Sequence, residues 1–180
     1  MSWTVSPRQF VEVFDRVVAR NEGELLGLWE DVKGYSAYLL KGPQSILRQV
    51  ASQLEVRYLG REFLGTDAAY LPDDGSGRVS VVIEHENVAG TARYEVYKLA
   101  HLSVPLRVLI TYPFELGKDQ ERLHGYCDIL EELGANASGQ LLIVFATRAT
   151  HPDTSIRWRY HLFAGSEFLE INPRRPVIDV

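Results

Sequence analysis

The sequence predicts a single α/β domain over residues 1–180, with a mixed central sheet of about five or six strands flanked by helices. The chain has 180 residues, of which 46% are hydrophobic and 24% charged, a composition that suits one soluble domain with a buried core. Short β-branched runs alternate with segments of helical periodicity. No repeat, low-complexity tract or linker divides the chain, so one domain is the simplest interpretation.

The first predicted element is a helix that begins after Ser6. Ser6 and Gln9 form a capping-box pattern, Pro7 occupies the first helical position, and apolar residues then recur at helical spacing. Residues 23–42 are less regular: a short helix is indicated first, and the stretch that follows it is compatible with strand or helix. Another helix is expected to begin near Pro43.

A hairpin is predicted next, because two strand-like stretches, Tyr58–Leu71 and Arg78–Asn87, flank a turn segment rich in Asp, Gly and Ser. Helices and buried strands alternate after it. The expected helices are Thr91–Ser103 and Asp119–Leu133, and the expected strands are Leu106–Tyr112, Leu141–Thr147, Arg157–Phe163 and Glu167–Ile171.

Composition also restricts the class of protein. The single cysteine, Cys127, excludes a disulfide framework and a cysteine-ligated zinc site. The chain shows neither a secretory signal pattern nor about 20 consecutive apolar residues, so we expect a cytoplasmic protein without a membrane span. The net charge of −5 argues against nonspecific coating of nucleic acid, although a local basic patch would still allow a nuclease.

Two glutamates mark the candidate site. Glu84 and Glu86 end a β-branched run, and residues two apart in a strand project to the same face. Like charges placed side by side need a cation or a shared proton. Pairing the hairpin about its turn puts Asp67 opposite Val82, diagonal to Glu84, and puts Gly65 opposite Glu84. Three carboxylates are therefore expected to converge.

Such a cluster has the oxygen ligands that Mg²⁺ or Mn²⁺ prefers. A metal held in this way can activate a water and stabilise a leaving oxygen, so phosphodiester hydrolysis is the natural use.

The order of helix, acidic hairpin, helix and short buried strand resembles the PD-(D/E)xK nuclease superfamily, whose fold is restriction-endonuclease-like. The resemblance covers about residues 43–112. It implies metal ligation by Asp67 as the first acid, by Glu84 as the second, and by Glu86 at the position where lysine is usual. Some type II restriction enzymes also have glutamate there. Lys98, on the following helix, is then a candidate replacement for the lysine, and all four residues are candidate catalytic residues.

Each candidate residue also has a structural interpretation. Glu84 and Glu86 fit the solvated face of a half-exposed strand, and Asp67 fits a polar residue at a strand irregularity. Lys98 fits an exposed lysine paired with Glu95 or Tyr94. His85 points away from the glutamates and is expected in the core, and the remaining histidines lack metal-ligand spacing.

A late strand supplies a candidate nucleic-acid-binding face. Arg157, Arg159 and His161 alternate with aromatic and apolar residues, so one face of the strand would be cationic and suited to phosphate. The alternative is an edge strand whose charges face water and prevent association between sheets.

The sequence therefore predicts a Mg²⁺-dependent (or Mn²⁺-dependent) phosphodiester hydrolase that acts on nucleic acid, with DNA expected rather than RNA. The alternative is a catalytically inactive protein that keeps this fold as an interaction module. A homodimer formed through Trp3, Trp29 or Trp158 is compatible with either function.

Overall fold

The structure, a computed structural model, describes residues 4–60, 63–113, 117–134, 139–149 and 154–173. Seven strands form one mixed sheet in this part of the chain, and helices cover both of its faces. The predicted α/β class with a mixed central sheet flanked by helices is therefore confirmed. The strands are β1 (Val56–Leu59), β2 (Ala68–Pro72), β3 (Val81–Glu86), β4 (Leu106–Thr111), β5 (Gln140–Ala149), β6 (Ser155–Phe163) and β7 (Phe168–Ile171).

Four helices precede the sheet, and the first begins as its sequence predicts. The Ser6 hydroxyl accepts from the Gln9 amide, and the Gln9 side chain accepts from the Ser6 amide, so the capping box is complete. The ambiguous stretch after it is helical. The four helices are α1 (Pro7–Arg20), α2 (Glu22–Gly27), α3 (Val32–Leu40) and α4 (Ile46–Gln53).

The strands lie in the sheet in chain order, from β1 to β7. The connections through α5 (Arg93–Ala100) and α6 (Asp119–Glu132) join parallel strands, so β3, β4 and β5 run in one direction. All other neighbouring strands pair antiparallel. The carboxyl ends of the three parallel strands consequently meet at one edge of the sheet, which is where open α/β sheets commonly bind ligands.

The predicted hairpin is wrong in two details. The stretch 58–71 is not one strand, because the segment between β1 and β2 leaves the sheet, and this break raises the strand number to seven. The register also differs: Ala69, not Asp67, lies opposite Val82. The connection from Pro72 to Val81 is longer than the predicted turn, which shifts the pairing by two residues. An even shift keeps Asp67 on the face of Glu84.

Two apolar cores hold the layers together. On one face, α1 to α4 pack against the sheet, with Phe10 and Phe14 fully buried. On the other face, α5 and α6 pack through residues such as Val96 and Leu123. Burying a side chain of this size contributes about 1.5–3 kcal/mol. The sheet is thus the middle of three layers. Successive residues of one strand project to opposite faces and therefore contact different helices.

No helix in the described ranges is long and apolar enough to cross a membrane. Cys127 lies in α6 as predicted, and it is buried as a free thiol. The indoles of Trp29 and Trp158 are half-buried and contact aromatic rings of the same chain, and Trp3 lies outside the described residues.

Candidate functional site

A tight turn before β2 positions Asp67. The amides and carbonyls of Phe63 and Thr66 bond reciprocally, at 2.9 and 3.1 Å, and close the turn. Its two central residues, Leu64 and Gly65, have φ angles of 53° and 74°, in the left-handed region that glycine tolerates and leucine rarely adopts. Because Leu64 is also 58% exposed, this strain is not offset by burial. Such strain is typical of functional sites.

Asp67 follows this turn in the chain and lies directly opposite β3. Its Oδ2 accepts a hydrogen bond from the His85 amide at 2.9 Å. The observed pairing of Ala68 with Ile83, continued by one residue, brings Asp67 beside Glu84. The two carboxylates therefore stand on neighbouring strands, side by side rather than diagonal.

Lys98 of α5 lies over the Glu84 carboxylate. Its Nζ is 2.7 Å from Oε1 of Glu84 and 2.6 Å from Oε2 of Glu95, and it donates to the Gly65 carbonyl at 2.9 Å. The Glu84 side chain is only 4% exposed, whereas that of Lys98 is 36% exposed. One ammonium thus joins the turn, strand β3 and helix α5, and it forms the solvent-facing side of the cluster.

The electrostatics of this cluster are dominated by burial. Burial raises the pKa of Glu84 to about 8; Lys98 opposes this rise, and the charges of Asp67 and Glu95 add to it. Burial also works against the charged form of Lys98, but its contacts with Glu84 and Glu95 outweigh that effect and raise the pKa of the ammonium. Glu84 therefore changes its protonation state near neutral pH while Lys98 stays charged.

Glu86 is placed differently from the other two predicted ligands. Its Oε1 accepts from the Val88 amide at 2.9 Å and so holds the turn after β3. Within the described residues, no three His, Cys, Asp or Glu side chains are grouped so that they could share one metal ion. The structure thus brings Asp67, Glu84 and Lys98 together and gives Glu86 a separate backbone contact.

The donor set still fits a hard cation. Mg²⁺ is commonly held by one or two carboxylates, with waters and substrate oxygens completing its shell, and Asp67 and Glu84 supply two. Oε1 of Glu84 is buried, and the Lys98 ammonium lies 2.7 Å from it. A cation at this oxygen would have to compete with the Lys98 ammonium.

His85 points to the opposite face of the sheet, as its parity predicts. Its Nε2 lies 2.9 Å from the Tyr112 hydroxyl, among the aromatic residues packed below α3. Burial lowers the pKa of His85 to about 4, against the charge of Asp67, so the imidazole is neutral at pH 7.

Most of the predicted cationic face of β6 is engaged in contacts within the protein. The alternation is correct, because Trp158 and Tyr160 pack toward α1. Arg159, however, is paired with Asp119 of α6, and its guanidinium also donates to the Thr147 hydroxyl at 2.9 Å. His161 is buried against Phe145, and burial lowers the pKa of its imidazole. Of the three, Arg157 alone is exposed.

The edge-strand alternative for β6 is wrong, because β7 pairs with β6 on the side away from β5. The alternation of basic and aromatic residues in β6 is visible in the sequence, but the strands that pair with β6 on either side are not. The partial burial of Arg159 and the burial of His161 follow from α6, which packs over this part of the sheet.

The sequence indicated Glu95 only as an alternative partner of Lys98. In the structure Lys98 contacts Glu95 and Glu84 at once. The three-residue spacing of Glu95 and Lys98 on one helix was the signal for the first contact. The role of the Gly65 carbonyl had no sequence signal beyond the glycine itself.

Comparison of the chain with protein-family models, with curated proteins and with solved structures finds no match.

Proposed function

We propose that the protein is a Mg²⁺-dependent phosphodiester hydrolase that acts on nucleic acid, with DNA expected rather than RNA. The observation that carries the proposal is the buried Glu84 carboxylate, which lies beside Asp67 and 2.7 Å from the Lys98 ammonium. The sequential order of α4, the β2–β3 hairpin, α5 and β4 agrees with the order on which the nuclease resemblance rests. Buried acids with strongly shifted pKa values are typical of catalytic sites.

Asp67 and Glu84 would hold the cation. When bound, Mg²⁺ supplies polarisation of the phosphodiester and an activated water. Glu84 must lose its proton to act as a ligand, and its raised pKa makes that loss incomplete at neutral pH. Metal affinity should therefore increase as the pH rises through about 8.

Lys98 would stabilise negative charge that develops on the phosphate. The Lys98 side chain is 36% exposed, so a phosphate oxygen can approach it from the solvent side and take the place of one of its present oxygen partners. The turn carbonyl of Gly65 and the carboxylate of Glu95 hold the ammonium in place before substrate binds. Glu86, the last residue of β3, would act as a general base and not as a third ligand, because no three acidic side chains of the described residues are grouped around one ion.

The test is cleavage of single- and double-stranded DNA and of RNA, with Mg²⁺ or Mn²⁺ and with chelator. We expect divalent-dependent cleavage that Asp67→Asn and Glu84→Gln reduce by about 100-fold or more, as for the loss of a group that stabilises a transition state. Asp74→Asn, which changes an exposed acid in the loop after β2, is the matched control and should cleave normally.

Glu86→Gln separates two roles for that residue, because the amide oxygen can still accept from Val88 while the charge is lost. A fully active Glu86→Gln protein would remove Glu86 from the machinery. Normal cleavage by folded Asp67→Asn and Glu84→Gln proteins would contradict the proposal as a whole.

One observation favours the alternative, an interaction module without catalysis. The three N–H donors of Lys98 face three oxygen partners, so the ion-pair cluster is electrostatically complete without a metal. Calorimetric titration with Mn²⁺ above pH 8 distinguishes the two. Saturable binding that Glu84→Gln abolishes supports the hydrolase, and absence of binding at millimolar Mn²⁺ supports the module.

A further inference from the structure

A cavity of about 390 Å³ lies at the sheet edge where the parallel strands end. Asn87 and Val88 follow β3, Tyr112 follows β4, and Arg148 lies near the end of β5. Residues of the α2–α3 region, including Trp29 and Tyr35, close its other side. The volume lies within the range of small-molecule sites, about 300–1,000 Å³.

Three aromatic rings form the apolar part of the cavity. Trp29, Tyr35 and Tyr112 pack edge to face, with centroid distances of 5.4 to 5.7 Å and interplanar angles of 83° to 90°. The hydroxyl of Tyr112 is held by His85 from below at 2.9 Å. These mutual contacts fix the ring orientations in advance, and of the three rings the partly exposed Trp29 is the one that a planar ligand can contact.

Polar side chains also line the cavity, among them Asn87 and Arg148. The Tyr35 hydroxyl is buried beside Tyr112, and Nε of Arg148 is buried without a hydrogen-bond partner in the described part of the chain. Asn87 exchanges hydrogen bonds with Ser36 at 3.1 and 3.3 Å at the wall. The cavity thus presents an amide and a guanidinium beside its aromatic rings.

The guanidinium of Arg148 can change partners at low cost. Its Nη1 contacts Oε1 of Glu30 at 2.8 Å, but the Glu30 side chain is 86% exposed. Exposed ion pairs of this kind contribute little to stability. A phosphate could therefore displace Glu30 and pair with Arg148 in the bidentate manner that guanidinium allows.

The cavity and the acidic cluster share one turn. The Val88 amide donates to Glu86, and Val88 itself lines the cavity. Asp67, Glu84 and Lys98 do not line it, because they belong to the α5 face of the sheet. A nucleic-acid strand crossing the carboxyl ends of β3 and β4 would meet both places.

We propose that this cavity binds one unstacked nucleobase of a nucleic-acid strand, while Arg148 contacts an adjoining phosphate. The inference rests on the proposed function and names how its substrate is held. A nucleobase combines a planar face for the Trp29 ring with polar edges that Asn87 can meet, and the adjoining phosphate suits the guanidinium of Arg148.

The experiment measures binding by fluorescence anisotropy of a short labelled single-stranded oligodeoxynucleotide, with chelator present so that no cleavage occurs. Trp29→Ala should weaken binding about tenfold, the usual order for loss of one base-stacking contact. Arg148→Gln should weaken it by a similar factor. Glu30→Gln should strengthen it about threefold, because it removes the competing partner of Arg148.

Two further variants guard against a folding artefact. Val32→Glu places a negative charge at an exposed wall position in the first turn of α3, where an acid is favourable for the helix, and it should weaken binding without unfolding. Tyr97→Ala, which removes an exposed aromatic ring from α5 on the other face of the sheet, is the matched control and should bind normally.

Competition distinguishes the source of the base. Oligonucleotides with and without an abasic position test a base within a strand, and free nucleoside monophosphates test a mononucleotide. The site is supported if the intact oligonucleotide or a nucleoside monophosphate competes for binding and Trp29→Ala abolishes that competition. Equal affinity of intact and fully abasic strands, together with no effect of Trp29→Ala and Val32→Glu, overturns it.

The two proposals can fail separately. Binding that requires Trp29 without cleavage under any divalent cation would refute the hydrolase and leave the base site. Cleavage that requires Glu84, with affinity unchanged by Trp29→Ala and Val32→Glu, would refute the base site and leave the hydrolase.

Discussion

Glu84 is the residue at which two demands of the fold conflict. Its strand position belongs to the layer between sheet and α5, where burial disfavours a charge, yet a carboxylate stands there. The structure compensates with the Lys98 ammonium, but the pKa of Glu84 remains raised to about 8. Replacing a buried ion pair by apolar residues is often neutral or stabilising, so an acid at this point is consistent with a function.

Glu84→Gln should change how stability depends on pH. Between the ordinary pKa of a glutamate, about 4.5, and its folded value, about 8, the folded state binds more protons than the unfolded state. Stability from this group therefore falls as pH rises through that window. The melting temperature of Glu84→Gln relative to wild type should increase from pH 5 to pH 9.

Glu12→Gln is the control for this measurement, because it removes a partly exposed glutamate on α1 that pairs with Arg8. A difference between Glu84→Gln and wild type that stays constant across the pH range would show that the acid does not titrate in that window.

At the scale of elements, the turn between β1 and β2 organises the cluster. It presents the Gly65 carbonyl to Lys98 and starts β2 so that Asp67 reaches the His85 amide. The space beside the Gly65 Cα would admit a methyl group, so glycine is required there for its positive φ of 74° and not for a close contact. The conformation of the turn, more than its composition, aligns the strand with α5.

Gly65→Ala tests this role of the turn. Alanine at a φ of 74° costs about 1–2 kcal/mol and should displace the carbonyl that Lys98 contacts. Gly75→Ala imposes a similar strain, at a φ of 72°, in the loop after β2. Both variants should lose similar stability in urea unfolding, and Gly65→Ala alone should reduce cleavage. Equal cleavage by the two variants would show that the turn does not contribute to the site.

The surroundings of the basic residues of strand β6 depend on the elements that pack against it. Its alternation of basic and aromatic residues was visible in the sequence, and the aromatic half packs against α1 as that pattern indicates. The basic half faces α6, where Asp119 is placed to neutralise Arg159. The pattern could not reveal this contact, because Asp119 and Arg159 are 40 residues apart in the chain.

Across the protein, Arg107 connects three segments through one buried side chain. From β4 its guanidinium donates to the carbonyls of Leu99 and Ala100 at the end of α5, and to that of Gly139 before β5. Terminal helix carbonyls lack partners within the helix, so a cation there also complements the helix dipole. Burial lowers the pKa of Arg107, which nevertheless stays charged.

Arg107→Met should destabilise the protein by about 2 kcal/mol, since buried carbonyls lose their donors and relief from burying a charge offsets only part of that loss. Equilibrium urea unfolding measures the change, with Arg57→Met, an exposed position on β1, as the control. An Arg107→Met protein as stable as wild type would mean that burial of the charge outweighs its hydrogen bonds.

The homodimer stays an untested prediction, for which light scattering is the direct measurement. Within the chain, Trp29 and Trp158 already have aromatic partners, Tyr35 and Phe14 respectively.

The fold class, most elements and the shared face of Asp67 and Glu84 were predictable from the amino-acid sequence alone. These follow from local rules: capping at Ser6, helical and strand periodicity, and the parity of residues in a strand. Three features became evident only in the folded protein: the register of β2 against β3, the break between β1 and β2, and the contact of Lys98 with Glu84. The same holds for the aromatic cavity, whose residues come from distant segments. Contacts of this kind depend on packing between layers, which no local pattern encodes.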